Sequence, residues 1–189
     1  MKKFINAVIC HFLYRVTYEG LENLTSQSRC IICPNHSNIF DPFFIYPVSN
    51  NLHIMAKSEI FKYKFLARIF KYYNVFPVNR NKKDPGSLFY SIGLFENNKD
   101  IELLIFPEGG ILKTENEIGK RIRNGAVFIS AKAKVPIVPV YITRRPNLFS
   151  RVKVIFGTPY TLDETILNDK PLLKEKSKEL INKIYDLNK

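Results

Sequence analysis

The 189-residue chain is poor in acidic residues and in cysteine, and it contains no long apolar stretch. Its 17 Asp and Glu residues stand against 29 Lys and Arg residues, which gives a formal net charge of +12. This excess excludes a neutral surface and predicts an anionic partner: nucleic acid, an acidic membrane or a phosphorylated substrate. With 46% hydrophobic and 24% charged residues, the composition is typical of one globular domain.

No apolar run approaches the roughly 18 to 20 residues needed to span a bilayer, so we expect no transmembrane helix. The N-terminus combines a basic start with a short apolar run that includes Phe4 and Ile5. It lacks the small-residue cleavage site of a signal peptide. We therefore expect a short amphipathic helix over residues 1–14, followed by a single domain over residues 15–189.

The three cysteines, Cys10, Cys30 and Cys33, are an odd count without a disulfide framework. Cys30 and Cys33 form a C-x-x-C pair close to His36, a pattern that also occurs in zinc and redox sites. The pair lies in a β-type apolar run, in which residues three apart point to opposite faces. We therefore expect buried, reduced cysteines, as in a reducing cytoplasm, and neither a metal nor a redox cofactor.

Short apolar runs rich in β-branched residues alternate with longer segments of helical period. The predicted strands are 15–20, 30–33, 52–56, 74–78, 101–106, 136–142 and 152–157. The predicted helices are 58–73, 84–98, 119–133 and 170–187. This alternation favours an α/β fold with a mixed, mainly parallel sheet flanked by helices. In such sheets binding sites lie beyond the carboxyl ends of the strands.

The loop after the 30–33 run contains a histidine and an aspartate five residues apart. Asp41 followed by Pro42 is typical of a helix start, with Asp as the N-cap and Pro at the first helical position. A tight turn can bring the Asp41 carboxylate to one imidazole nitrogen of His36, which leaves the other nitrogen to take a proton. The same spacing also fits a plain N-cap beside an unrelated histidine.

Two other strand ends carry charged residues. Glu108 is followed by Gly109 and Gly110, so a ligand can approach the backbone beside a carboxylate. Arg80 follows the 74–78 run and can bind a phosphate through its guanidinium fork. Taken alone, each of these also fits a solvated loop. The sequence has no G-x-S-x-G elbow, which argues against a serine hydrolase and favours activation of a substrate hydroxyl.

Four motifs occur in a fixed order, with a basic-x-Gly step between the last two. They are N-H-x-x-x-x-D at 35–41, an apolar-Pro-Val-x-Arg run at 76–80, F-P-E-G at 106–109 and V-P-I-V-P-V at 135–140, with the step at Arg123 and Gly125. Together they resemble the glycerolipid acyltransferase family that includes the 1-acyl-sn-glycerol-3-phosphate acyltransferases. The resemblance covers roughly residues 18–160.

The resemblance implies transfer of a fatty acyl group from acyl-CoA or acyl-ACP to the sn-2 hydroxyl of 1-acyl-sn-glycerol-3-phosphate, giving phosphatidic acid without a cofactor. It implies His36 as general base and Asp41 as its orienting partner. The residues that it assigns to the acceptor site are Arg80, Glu108, Gly109 and Arg123.

The sequence departs from the family pattern at three places, one of which is Asn74, where a Gly is common before the second motif. Asn79 stands where the family usually has Asp, and Gly110-Ile111 replaces the usual Thr/Ser-Arg. These departures keep open another lysophospholipid or a lyso-ornithine lipid as acceptor. They also keep open a catalytically impaired, lipid-binding relative, although the intact pair of His36 and Asp41 argues against it.

The positive excess is confined to two segments. Residues 57–83 hold eight basic residues and one acidic residue, and residues 113–153 hold ten basic and two acidic ones. On a helical wheel, the first segment places apolar residues such as Phe65 and Ile69 opposite its basic residues. It is either a core-facing helix or a helix that meets anionic lipid, peripherally, at the cytoplasmic face of the membrane. A nucleic-acid-binding module is the alternative from another class, but no RRM, KH or helix-turn-helix signature supports it.

Overall fold

A computed structural model describes residues 9–79 and 84–189 of the chain. The strands are β1 Arg15–Glu19, β2 Arg29–Pro34, β3 Leu52–Lys57, β4 Val75–Val78, β5 Ile101–Leu104, β6 Ile137–Ile142 and β7 Arg151–Phe156. They form one sheet in the order β1-β7-β6-β2-β5-β3-β4. Neighbouring strands run parallel except β6 and β7, which are antiparallel. The predicted mixed, mainly parallel sheet is confirmed, and each strand lies within two residues of its expected bounds.

Helices connect the strands and cover both faces of the sheet. Within the described ranges the α-helices are α1 Glu22–Thr25, α2 Asp41–Ile45, α3 Lys64–Tyr72, α4 Pro85–Asn97, α5 Gly125–Ala133 and α6 Lys170–Asp186. Shorter helical turns are the π-helical turn Ile9–Leu13 and the 3-10 turns Tyr46–Val48, Ser58–Lys62, Glu115–Glu117 and Glu164–Asn168. In the part of the chain that the structure describes, no helix is long and apolar enough to cross a membrane.

Two predicted helices are shorter than their sequence pattern suggests. The helix expected over 119–133 begins only at Gly125: Gly119 has a φ of +73°, outside the right-handed helical region, and the N–H of Arg123 donates to the carbonyl of Pro107. The helix expected over 58–73 is divided at Tyr63, whose extended backbone separates a 3-10 turn from α3. Of the helix expected over 1–14, only the short π-helical turn is seen, and residues 1–8 lie outside the described residues.

Alternation along β2 separates two apolar cores. Ile31 and Cys33 pack in the core shared with α4, α5 and α6, whereas Cys30 and Ile32 pack in the core shared with α2. Both cysteines are fully buried free thiols, and burial raises the pKa of each. The prediction of buried cysteines on opposite faces of the sheet is therefore confirmed.

The sheet order brings three loops to one edge of the molecule. β2 lies between β5 and β6 and is parallel to both, so the carboxyl ends of the three strands are adjacent. β1 and β7 run in the opposite direction to β6, so they begin at this same edge. The candidate site lies in the loops at this edge, as the rule for parallel sheets predicts.

Candidate active site

The loop after β2 folds back so that His36 Nδ1 lies 2.9 Å from Asp41 Oδ2. The same oxygen accepts the backbone N–H groups of Ser37 at 2.7 Å and Asn38 at 2.9 Å. Asp41 is fully buried, and its other oxygen, Oδ1, accepts no hydrogen bond from the described residues. A carboxylate that accepts a hydrogen bond from Nδ1–H keeps the lone pair of the neutral imidazole on Nε2. The two side chains therefore meet as their spacing predicts.

Asp41 does not cap α2, which corrects the expectation from the sequence. The N-cap position is Phe40, and Asp41 is the first helical residue. An N-cap side chain accepts from an N–H two or three residues ahead of it. The Asp41 carboxylate instead turns back to the N–H groups of Ser37 and Asn38, because these donors lie inside the loop that it closes. The helix-start pattern therefore identified a side chain that orients the histidine.

The segment after β5 supplies the second half of the site. The ring of Phe106 stacks on the imidazole of His36, with centroids 3.8 Å apart and planes inclined by 20°. Glu108 is 1% exposed; its Oε2 accepts the backbone N–H of His36 at 2.8 Å, and its Oε1 accepts the Tyr185 hydroxyl at 2.5 Å. Burial raises the pKa of Glu108, and the two donors and the charge of Arg144 partly oppose that rise. The alternative of a solvated turn at Glu108 is therefore wrong.

Asn35 joins the histidine loop to the neighbouring strand. Its Nδ2 donates to the carbonyl of Ile142 at 2.9 Å, and its Oδ1 accepts the N–H of the same residue at 2.7 Å. Asn35 is fully buried, so water does not compete for these two bonds. The side chain thus extends the pairing of β2 with β6 up to the residue before His36.

Gly109 and Arg123 lie side by side next to Glu108. Gly109 has a φ of +71°, and a Cβ at this position would lie 2.8 Å from Arg123 Cγ and 2.9 Å from Arg123 Nε. The backbone N–H of Arg123 also donates to the carbonyl of Pro107 at 2.8 Å. The positive φ favours glycine here, and any larger residue would also have to displace the Arg123 side chain. Arg123 itself is exposed.

Comparison with known proteins identifies the family. An acyltransferase family model matches residues 15–143, more than half of the chain. The chain belongs to the acyltransferase family. It is 29% identical over 181 residues to a 1-acyl-sn-glycerol-3-phosphate acyltransferase from Bacillus subtilis, and the match covers 88% of each chain. It is 28% identical to one from Cocos nucifera, with 68% of this chain and 41% of that relative covered.

A solved structure shares the fold. The crystal structure of a 1-acyl-sn-glycerophosphate acyltransferase from Thermotoga maritima superposes with a TM-score of 0.69 at 19% identity. The superposition covers 99% of this chain and 78% of the other. The α/β architecture derived above is therefore that of a known acyltransferase structure.

The structure of this acyltransferase describes only some of the basic residues near the candidate site. Arg80, the predicted phosphate ligand after β4, lies outside the described residues, so its role stays a prediction. Arg144, which the sequence analysis did not identify, follows β6 at the same edge of the sheet. Its side chain is only 11% exposed, and its Nη1 lies 3.5 Å from Glu115 Oε1. A charged residue just beyond the carboxyl end of a predicted strand is the sequence signal that identifies Arg144 as a candidate.

Tyr185 is the other member of the site that the sequence analysis missed. It lies near the end of α6, 77 residues from Glu108, and it belongs to no motif. In residues 9–79 and 84–189, no group of three or more His, Cys, Asp or Glu side chains is arranged to hold a metal ion.

We expect Asp41→Ala to destabilise the acyltransferase by about 2–4 kcal/mol, because two loop N–H groups lose their acceptor. Asp41→Asn should cost clearly less, since its amide oxygen can still accept these bonds. Urea denaturation of both variants measures the difference. Equal losses of unfolding free energy in the two variants would show that the loop does not depend on this acceptor.

Proposed function

We propose that this acyltransferase moves a fatty acyl group from acyl-CoA or acyl-ACP to the sn-2 hydroxyl of 1-acyl-sn-glycerol-3-phosphate, forming phosphatidic acid for phospholipid biosynthesis. The observation that carries the proposal is the pair formed by His36 and Asp41, 2.9 Å apart. It is an oriented general base at a sheet edge where a substrate can enter. The names of the Bacillus subtilis and Cocos nucifera relatives support the choice of acceptor.

In the proposed mechanism, His36 Nε2 takes the proton of the acceptor hydroxyl while the hydroxyl oxygen attacks the thioester carbonyl carbon. The C–S bond then breaks, and the imidazolium returns the proton to the leaving thiolate. Asp41 stabilises the imidazolium between these two steps, and among the described residues its Oδ1 accepts no hydrogen bond. General-base assistance of this kind contributes about 10²- to 10⁴-fold to the rate.

Direct transfer is supported by the state of the alternative nucleophiles. Burial raises the pKa of Cys10 to about 11 and also raises the pKa of Cys30 and Cys33, so none of these thiols forms a thiolate readily. Ser37, next to the histidine, is 6% exposed, and its Oγ accepts the backbone N–H of Arg145 at 3.0 Å. The acceptor hydroxyl is therefore the nucleophile that His36 serves.

The acceptor site combines exposed basic groups with a buried carboxylate. In this proposal, Arg123 and Arg80 bind the acceptor phosphate, and the position of Arg123 over Gly109 supports its part. Glu108 is buried, with both oxygens bonded. Its contribution to the acceptor site is therefore indirect, through the loop that carries His36.

A thioester-release assay with acyl-CoA and acyl-ACP against a panel of acceptors tests the proposal. The panel contains 1-acyl-sn-glycerol-3-phosphate, other lysophospholipids and a lyso-ornithine lipid. We expect the fastest thiol release with 1-acyl-sn-glycerol-3-phosphate. Faster release with another acceptor would replace that substrate and keep acyl transfer. Absence of release with every acceptor would favour the lipid-binding alternative and contradict the proposal.

We expect His36→Ala to lower acyl transfer by at least about a hundredfold, the lower bound of general-base assistance, while circular dichroism shows an intact fold. His53→Gln is the matched control, because His53 lies near the amino end of β3. The candidate site lies beyond the carboxyl ends of the parallel strands, so the two histidines are at opposite ends of the strands. The control should retain wild-type turnover. Near-wild-type turnover by His36→Ala would contradict the mechanism.

We also propose that the enzyme binds an anionic membrane surface through α3. Of the two readings of this segment, a core-facing helix is not supported: Phe65 is 74% exposed and Ile69 36% exposed. Lys64, Arg68 and Lys71 are exposed on the same helix. Exposed apolar and basic residues on one short helix suit the boundary between headgroups and acyl chains, where each cation contributes about 1 kcal/mol.

Further exposed apolar side chains surround the candidate site. They are Phe12, Ile39, Ile111, Leu148 and Phe149. Backbone bonds hold these loops together, since the N–H of Phe149 donates to Leu13 at 2.7 Å and the N–H of Leu112 donates to His36 at 2.9 Å. An apolar rim at this edge supports a membrane surface as the place from which the lipid acceptor enters.

We expect Phe65→Ser to weaken binding to vesicles that contain anionic lipid by at least about tenfold. The variant loses the favourable free energy of burying one aromatic side chain in the membrane. The matched control is Phe89→Ser, which removes an equally exposed phenylalanine (72%) from α4, a different helix that packs in the core shared with α5 and α6. Co-sedimentation at low and high salt measures both variants. Wild-type binding that is insensitive to salt and to lipid charge would contradict the membrane proposal.

A further inference from the structure

The C-terminal helix reaches the candidate site through one side chain. Tyr185 lies one residue before the end of α6, which packs on the sheet through buried residues such as Leu180 and Ile184. Its ring lies 6.2 Å from that of Tyr141 on β6, in an edge-to-face arrangement. Its hydroxyl donates to Glu108 Oε1 at 2.5 Å. This helix lies outside residues 15–143, to which the acyltransferase family model is confined.

The Glu108 carboxylate links this hydroxyl to the histidine loop. One oxygen accepts from Tyr185, and the other accepts the backbone N–H of His36 at 2.8 Å. The two oxygens of a carboxylate move together, so a donor that fixes one also fixes the other. Glu108 is 1% exposed, so bulk water does not compete with either donor. The orientation of Glu108, and with it the position of the His36 backbone, therefore depends on the Tyr185 hydroxyl.

The groups around Glu108 determine whether its carboxyl group is ionised. The titratable and charged groups that face it are Tyr185 on α6, His36 in the loop after β2 and Arg144 in the loop after β6. Burial raises the pKa of Glu108, and hydrogen bonds from Tyr185 and His36 lower it again in part. The ionised form accepts from both donors at once, whereas a protonated carboxyl has one oxygen occupied by its own proton.

We propose that Tyr185 is a positioning residue for acyl transfer: its hydroxyl holds the Glu108 carboxylate, and through it the backbone of His36. The proposal rests on the function proposed above, in which His36 is the general base. Tyr185 itself contacts neither His36 nor any reacting atom in this account. Its effect on the reaction is therefore on the geometry of the base.

A packing role for Tyr185 makes a different prediction. If the residue only anchored α6 to the sheet, its ring would carry the effect and the hydroxyl would be dispensable. Tyr185→Phe keeps the ring and removes only the donor. Tyr160→Phe is the matched control, because the Tyr160 hydroxyl is buried and has no hydrogen-bond partner among the described residues. Lys183 lies over the Tyr160 ring, a contact that Phe retains.

We expect Tyr185→Phe to lower kcat by about ten- to a hundredfold, the effect of losing one hydrogen bond to a charged group, with little change in KM. The loss of activity that protonation of Glu108 contributes to the acid limb of the kcat profile should also begin at higher pH. The direction of this shift follows from the ionisation of Glu108: activity needs the ionised carboxylate and is lost as the pH falls through its pKa. Removal of the Tyr185 donor raises that pKa further, so the loss begins at higher pH.

Amide hydrogen exchange at His36, followed by NMR, gives a readout that needs no activity. Exchange should be about tenfold or more faster in Tyr185→Phe, because the acceptor of this N–H is no longer held, and unchanged in Tyr160→Phe. Wild-type kcat, acid limb and His36 exchange in Tyr185→Phe would overturn the proposal. Faster exchange in an enzyme that transfers no acyl group would uphold the positioning of His36 and overturn the proposed function instead.

Discussion

A single buried carboxylate joins three distant parts of the chain at the candidate site. Glu108, just beyond β5, accepts the backbone N–H of His36 on one oxygen and the hydroxyl of Tyr185 on the other. Phe106, two residues earlier, stacks on the imidazole. Asp41, five residues after the histidine, holds the same ring through Nδ1. The histidine is therefore held at its backbone, its ring face and one nitrogen, and the other nitrogen, Nε2, is the one that the proposed mechanism uses.

The sheet could be predicted because each strand is a short apolar run, and parallel order follows from strands that alternate with helices. The loops that contain His36 and Glu108 were found by one rule, that sites follow the carboxyl ends of parallel strands. The same rule, applied to β6, would have found Arg144. Tyr185 could not be found in this way, because its role depends on how α6 lies across the sheet. The sequence also did not predict that the Asp41 carboxylate points toward the preceding loop, since the Asp-Pro pattern of a helix start is the same whichever way the carboxylate points.

The charge excess gains a structural meaning from the same arrangement. One basic segment includes α3, which carries the exposed Arg68 and Lys71 together with the exposed Phe65. The other includes Arg123 and Arg144, which lie in loops at the edge of the sheet that contains His36. Positive charge is therefore placed both at the proposed membrane contact and beside the proposed binding site for an acceptor phosphate and an anionic acyl donor.

In the proposed reaction, the acyl group passes directly to an acceptor hydroxyl that His36 deprotonates. The most direct measurement mixes the enzyme with its acyl thioester in the absence of acceptor and follows thiol release and the intact protein mass. We expect no burst of thiol and no acylated protein until the acceptor is added, because the cysteine thiols and Ser37 are buried. A stoichiometric burst with an acyl adduct on the protein would contradict it.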